Sequence, residues 1–388
     1  MLCFLQMARV KSYLFLALSV WAVISFSWPS DIPISIYPFE KPNGKGPALP
    51  IIDAQPKGSL VAEVAFSNRQ TLDWMANFLD IWEVDHSQGK LIAFLTPADQ
   101  TRLRERGVIF QVDYKRSAAL TKPLHPLIGQ TSGIPGYPCY RTVDETYAQF
   151  AALAAEYPTL SRWIDIGDSW EKTQADGAVG DDLFALVIGD QGVAKPKPAL
   201  VILAAVHARE LVTAETAVRF AEFLLSQYTN NADVYSLLNY IEVHIIPFGN
   251  PDGRRVAESG ASWWRKNTDS DDGCTQPSFW GVDLNRNSSY PWGLAGASAE
   301  ACDETFRGPF AASEPETQAI EAYLRNVFQD RRGPEIDDSA DEDTPGVFLT
   351  LHSYGNQVLW PWGWTAGAAP NAAGLENLGQ RMAYYAGY

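Results

Sequence analysis

Two runs in the chain, residues 183–188 (LFALVI) and 200–206 (LVILAAV), carry only apolar side chains. A strand sends alternate residues to opposite faces, so a run that is apolar throughout needs cover above and below. Helices on both sides of a sheet provide that cover. Helical patterns occur where this requires them. Apolar residues fall at helical spacing over residues 210–228, and Thr142-Val-Asp-Glu145 forms a capping box ahead of a helix to residue 157. Ser313-Glu-Pro-Glu316 caps another helix to residue 328, and a further one begins near residue 375. Residues 240–248 and 347–351 read as strands. The expectation for residues 139–388 is an α/β domain: a mixed, doubly wound sheet with helices on both faces.

The upstream part follows a different pattern. Residues 59–66, 81–86, 90–95 and 108–112 read as strands, and residues 69–79 and 97–106 as helices. The order βαββαβ predicts a small α+β ferredoxin-like unit over residues 58–115. Residues 114–138, with several prolines and small side chains, form the best domain boundary, and 116–138 are taken as a linker. Residues 31–57 read as an extended leader. Arg9 and Lys11 precede an apolar stretch to residue 30, which reads as a secretory signal peptide and predicts a secreted or periplasmic product.

Charge excludes one class of partner. Thirty Lys and Arg against 46 Asp and Glu give a net charge of −16, with no basic cluster to grip a phosphate backbone. The acidic insert at 335–343 reads as a solvated loop, since it lacks the spacing of a calcium-binding hand. Neither a G-x-S-x-G elbow nor a phosphate-binding G-x-x-x-x-G-K-[ST] loop is present. Of the four cysteines, Cys3 leaves with the signal peptide, so the remaining three predict one disulfide and one odd thiol.

Three of the five histidines lie beyond the boundary, and the chemistry gathers around two of them. His207 follows the apolar run at 200–206, and Glu210 stands three residues on, across a strand-to-helix turn. Ligands bind at such carboxyl ends of strands in α/β sheets. One imidazole and one carboxylate are two thirds of a catalytic zinc site, and His352, at the end of another strand, is the natural third. His244 reads as a satisfied strand histidine.

These residues sit in motifs that resemble a known family. HARE at 207–210, NPDG at 250–253, WRKN at 264–267, GVDLNRN at 281–287 and LHSYG at 351–355 are similar, in family order, to the zinc metallocarboxypeptidases of the carboxypeptidase A type. The resemblance covers residues 140–388 and, more weakly, 58–115, which is similar to that family's activation domain. It implies one Zn2+ held by His207, Glu210 and His352. It also implies Asn285 and Arg286 on the substrate's C-terminal carboxylate, Arg265 on the oxyanion, and Arg209 and Tyr354 along the substrate cleft. Asp283 would orient His207, and Cys274 and Cys302 would form the family's disulfide. The expected activity is removal of single residues from peptide C-termini, with the prodomain as inhibitor. Alternatives on the same scaffold are a zinc amidase acting on peptidoglycan stem peptides or N-acyl amino acids, and a noncatalytic binder of zinc and peptide C-termini. The family's glutamate base and mobile tyrosine lie well beyond the second histidine. Only 36 residues follow His352, so neither is assigned, and the 388-residue chain is expected to be inactive.

Overall fold

The computed structural model describes residues 58–388 apart from 121, 123, 175–179, 194, 195, 336, 342, 354 and 366. The expected signal peptide and leader, and Tyr354, lie outside the described residues.

The first unit contains β1 (Leu60–Ala65), α1 (Arg69–Ala76), β2 (Asp80–Asp85), β3 (Lys90–Leu95), α2 (Pro97–Glu105) and β4 (Phe110–Val112). Its sheet is antiparallel in the order β2-β3-β1-β4. Val64, Met75, Leu79, Leu91, Ala93 and Leu103 fill the space between sheet and helices. Helix α1 starts at Asn68, whose side chain accepts from the Thr71 N–H, and α2 starts in a capping box of Thr96 and Asp99. The break expected over residues 114–138 opens with a helix, α3 (Tyr114–Leu120). Small residues there serve packing: the Ser117 hydroxyl donates to the Asp113 carbonyl and accepts from the Val61 N–H of β1.

The second unit runs through α4 (Val143–Glu156), β5 (Ser161–Asp168), α5 (Trp170–Thr173), β6 (Asp182–Ile188), β7 (Ala199–Leu203), α6 (Leu211–Gln227), α7 (Ala232–Tyr240), β8 (Glu242–Ile246), α8 (Pro251–Glu258), α9 (Pro315–Val327), β9 (Val347–Thr350) and α10 (Ala372–Ala386). Strand order is β5-β6-β8-β7-β9, antiparallel as far as β8 and parallel from β8 to β9. Period-two alternation divides the apolar runs between the two faces. Leu200 and Ile202 meet Phe150, Phe220, Leu224 and Leu238 from α4, α6 and α7, while Val201 and Leu203 meet Ile320 and its neighbours from α9. The sheet is thus mixed and covered by helices on both faces.

Local readings differ in places. Strand β5 escapes a pattern search because a register shift between Asp165 and Gly167 breaks its alternation. The Thr142–Glu145 capping box is present, whereas Ser313 does not cap α9. Its hydroxyl is occupied by Asn287 Nδ2 and the Glu314 carboxylate instead. A disulfide joins Cys274 to Cys302, and Cys139, expected as an odd thiol, is not free; none of the described cysteines is.

Buried acids make stability pH-dependent. Burial pushes the carboxyls of Asp99, Asp252, Glu258 and Asp269 up to about 7. A carboxyl whose folded value lies above its unfolded one holds its proton in the fold, so stability falls as pH rises from about 4 to about 7. Asp80 works in the opposite direction: its burial penalty is outweighed by Arg209 and Arg265, so its contribution is lost only as pH falls below the ordinary carboxylate range. Thermal melts at matched ionic strength should therefore show a higher Tm near about pH 5.5 than near about pH 8. A Tm that rises between those values would contradict this assignment.

Candidate metal centre

The end of β7 turns sharply before it delivers its functional side chains. Ala205 has a φ of +48°, left-handed and unusual for a residue with a Cβ, at a cost of about 1–2 kcal/mol. Two hydrogen bonds hold it there: its N–H donates to Thr213 Oγ1 (3.0 Å), and that hydroxyl donates to the Glu210 carbonyl (2.8 Å). His207 and Glu210 follow in this turn, both under 7% exposed. Glu210 stands at the N-cap of α6 yet makes no capping bond, because its carboxylate faces the histidines. His352 arrives from the neighbouring strand. The Leu351 N–H donates to the Leu203 carbonyl, extending the parallel pairing of β7 and β9 and setting His352 beside the turn.

The three side chains converge. His207 Nδ1 lies 2.8 Å from Glu210 Oε1, His352 Nδ1 lies 3.1 Å from Glu210 Oε2, and the two Nδ1 atoms are 3.1 Å apart. One ligand atom from each falls within 4.8 Å of the others. Tetrahedral ligands at about 2.0–2.1 Å from a zinc ion stand roughly 3.3 Å apart, so two imidazoles and a carboxylate in this arrangement fit the ion and leave a fourth position open. Burial opposes the charge of Glu210, but the two imidazoles outweigh it and hold its carboxyl below the ordinary range.

Asp283 ties the cluster to the positive charges beside it. Its Oδ1 lies 3.2 Å from His207 Nε2 and accepts the Asn285 N–H, and its Oδ2 accepts both Nε (3.2 Å) and Nη2 (2.7 Å) of Arg265. Asp283 is fully buried, and Arg265, Arg286 and His207 together overcome that burial and keep it ionised. Arg265 stays protonated beyond its ordinary range because Asp283 and Asp80 outweigh its desolvation. Arg286 donates through Nε to the Gly296 carbonyl (2.6 Å), and the Asn285 side chain is exposed. The disulfide and Lys266 brace this segment. Lys266 Nζ, buried, donates to the carbonyls of Phe279, Ala301 and Asp303. His244 pairs with the Tyr323 hydroxyl at 2.6 Å, away from the cluster.

One participant comes from the first unit. Asp80, at the start of β2, is 3% exposed, and its Oδ2 accepts from Arg209 Nη2 (2.5 Å) and the Trp82 indole (2.9 Å). Its Oδ1 lies 3.5 Å from Arg265 Nη1. A bulge between Ile81 and Glu83 in the pairing with β3 lets Trp82 lean back, where its ring also lies under the Arg209 guanidinium at 5.5 Å. Phe94 stacks on Trp263 at 6.3 Å, and Arg102 donates to Asp303 at 2.8 Å across the same boundary. No sequence signal marks Asp80, because an isolated acid at a strand start is usually solvated.

Comparison with known proteins agrees with this geometry. The family model described as zinc carboxypeptidase matches residues 146–387. Carboxypeptidase A1 of Rattus norvegicus is 31% identical over 244 residues, 62% of this chain and 51% of the relative. Metallocarboxypeptidase A of Trichophyton tonsurans is 27% identical over 299 residues, 75% of this chain and 65% of the relative. The chain thus spans about half the length of the mammalian relatives it matches. In fold, it is similar to the crystal structure of carboxypeptidase A from Helicoverpa armigera, with a TM-score of 0.65, 24% identity, and coverage of 84% of this chain and 76% of the other. With its family match extending over most of the second unit, the chain belongs to the zinc carboxypeptidase family.

Proposed function

We propose that this chain belongs to an exported precursor of a zinc-dependent exopeptidase that hydrolyses the last peptide bond of peptides or proteins. The convergence of His207, Glu210 and His352 at the carboxyl ends of two parallel strands carries the reading. Zinc bound there polarises a carbonyl and lowers the pKa of its water. The remaining roles fall to the chain's own side chains. Glu210, kept ionised, offsets the ion's charge, and Asp283 fixes the ring of His207 through Nε2. Arg265, held cationic and in place by Asp283, supplies a donor toward the oxyanion of the tetrahedral intermediate. Asn285 and Arg286 hold the substrate's terminal carboxylate, which selects the last residue, and Arg209 lines the approach.

Residues 58–115 act in this reading as an inhibitory prodomain, supported by the insertion of Asp80 between Arg209 and Arg265. Export is supported by the apolar N-terminal stretch and the Cys274–Cys302 disulfide. No described helix is long and apolar enough to cross a membrane.

The test uses zinc-loaded protein expressed from its whole reading frame and freed of the prodomain. It should release the terminal amino acid from an N-blocked dipeptide with a free carboxylate and leave the corresponding amide intact. Equal turnover of the amide would overturn the exopeptidase reading. Preference for muropeptides over dipeptides would favour the amidase.

A further inference from the structure

The segment between the two units bears on how the first is removed, and the inference rests on the reading of that unit as a removable prodomain. Endoproteases bind several residues of substrate as extended chain, so bonds locked in helices resist them until the helix opens. Three bonds between residues 113 and 140 follow a Lys or Arg. Those after Lys115 and Arg116 lie inside α3. That helix is held to β1 through Ser117, and the Arg116 guanidinium is engaged by Glu83 (2.7 Å) and Asp113. The third follows Lys122 and precedes a proline, which offers no N–H on the leaving side. A protease with an acidic pocket therefore finds no well-presented bond here.

An apolar pair is presented instead. Leu127 is 42% exposed and Ile128 fully so, in a segment whose described residues form no helix or strand. Leu127 opens a tight turn whose carbonyl accepts from the Gln130 N–H (2.9 Å), with Gly129 at φ +79°. The Gln130 side chain fixes the base of this turn by accepting from the N–H groups of Leu127 and Gly136 and donating to the carbonyls of Ser132 and Ile134. The turn projects two apolar side chains outside any core. It too must open before a protease can bind it as extended chain, but here only one four-residue turn opens, whereas α3 has to leave β1.

We propose that the Leu127–Ile128 bond is the processing site, and that the enzyme cutting it is an endoprotease with an apolar specificity pocket. A pocket reading the residue before the bond takes Leu127, and one reading the residue after it takes Ile128, so both types cut the same bond. Water adds to the Leu127 carbonyl carbon, and the C–N bond to Ile128 breaks. Leu127 is left as a carboxylate and Ile128 as the new amino terminus.

The test treats the whole chain separately with chymotrypsin, thermolysin and trypsin at low ratio and maps the large fragment by N-terminal sequencing. Chymotrypsin and thermolysin should give a fragment beginning at Ile128, while trypsin leaves residues 114–133 intact over the same interval. The double substitution Leu127→Asp and Ile128→Asp, with an unchanged circular dichroism spectrum, should slow that cut at least about tenfold. A tryptic fragment beginning at Arg116 or Ser117 at a comparable rate would overturn the proposal, as would an unaltered cut in the double variant. If the fragment begins at Ile128 but hydrolysis by the processed enzyme is no faster than by the precursor, the processing site stands and the inhibitory prodomain falls.

Discussion

Replacing Asp80 by asparagine is expected to lower the stability of the docked precursor by about 3–5 kcal/mol, the usual cost of removing one partner from a buried ion pair. The carboxylate receives Arg209, the Trp82 indole and the charge of Arg265 in a site almost closed to water. Arg265 keeps Asp283 after the change. Arg209 keeps the Trp82 ring and a 3.4 Å contact to the Trp263 carbonyl, neither of which neutralises it. The loss should appear in denaturant unfolding and as faster amide exchange in β2 and β3, the strands nearest the second unit. Combining Asp80→Asn with Arg209→Gln should restore part of the loss, because the stranded charge is then gone. Unchanged stability of the single variant would show that the Asp80 cluster does not hold the two units together.

Substituting His207 by alanine is expected to have the largest effect on metal content. His207 supplies one of three ligand atoms and also receives the orienting contact from Asp283, so the change removes both at once. Losing an orienting partner alone costs roughly 10–100-fold in metal affinity, so Asp283→Asn should weaken zinc by about that factor and His207→Ala by more. Atomic absorption after dialysis against buffered zinc should find near-stoichiometric metal in the parent and little in His207→Ala. A His244→Ala control, altering a histidine held by Tyr323, should retain its zinc. Equal retention by parent and His207→Ala would remove the cluster from consideration as the metal centre.

The apolar runs were legible as strands because a strand buried on both faces leaves a continuous apolar signature, and helices α4 and α6 were legible from a cap and a period. Helices α7 and α8 and strand β5 were not, since short or bulged elements owe their form to neighbours more than to their own spacing. Helix α3 was read as a break for the same reason. Its small residues are poor signals alone and become helical against β1.

The sequence by itself determined which residues can bind zinc: two histidines at strand ends and a glutamate three residues from the first, whose chemistry is local to each motif. The tertiary structure decided how those ligands meet and what stands against them. Parallel pairing of β7 with β9 carries His352 across 145 residues of chain to His207. Packing of the first sheet carries Asp80 to Arg209 across 129. Periodicity and capping act over a few residues and leave a trace in sequence, whereas a carboxylate that gains its partner only by docking leaves none until the chain has folded around it.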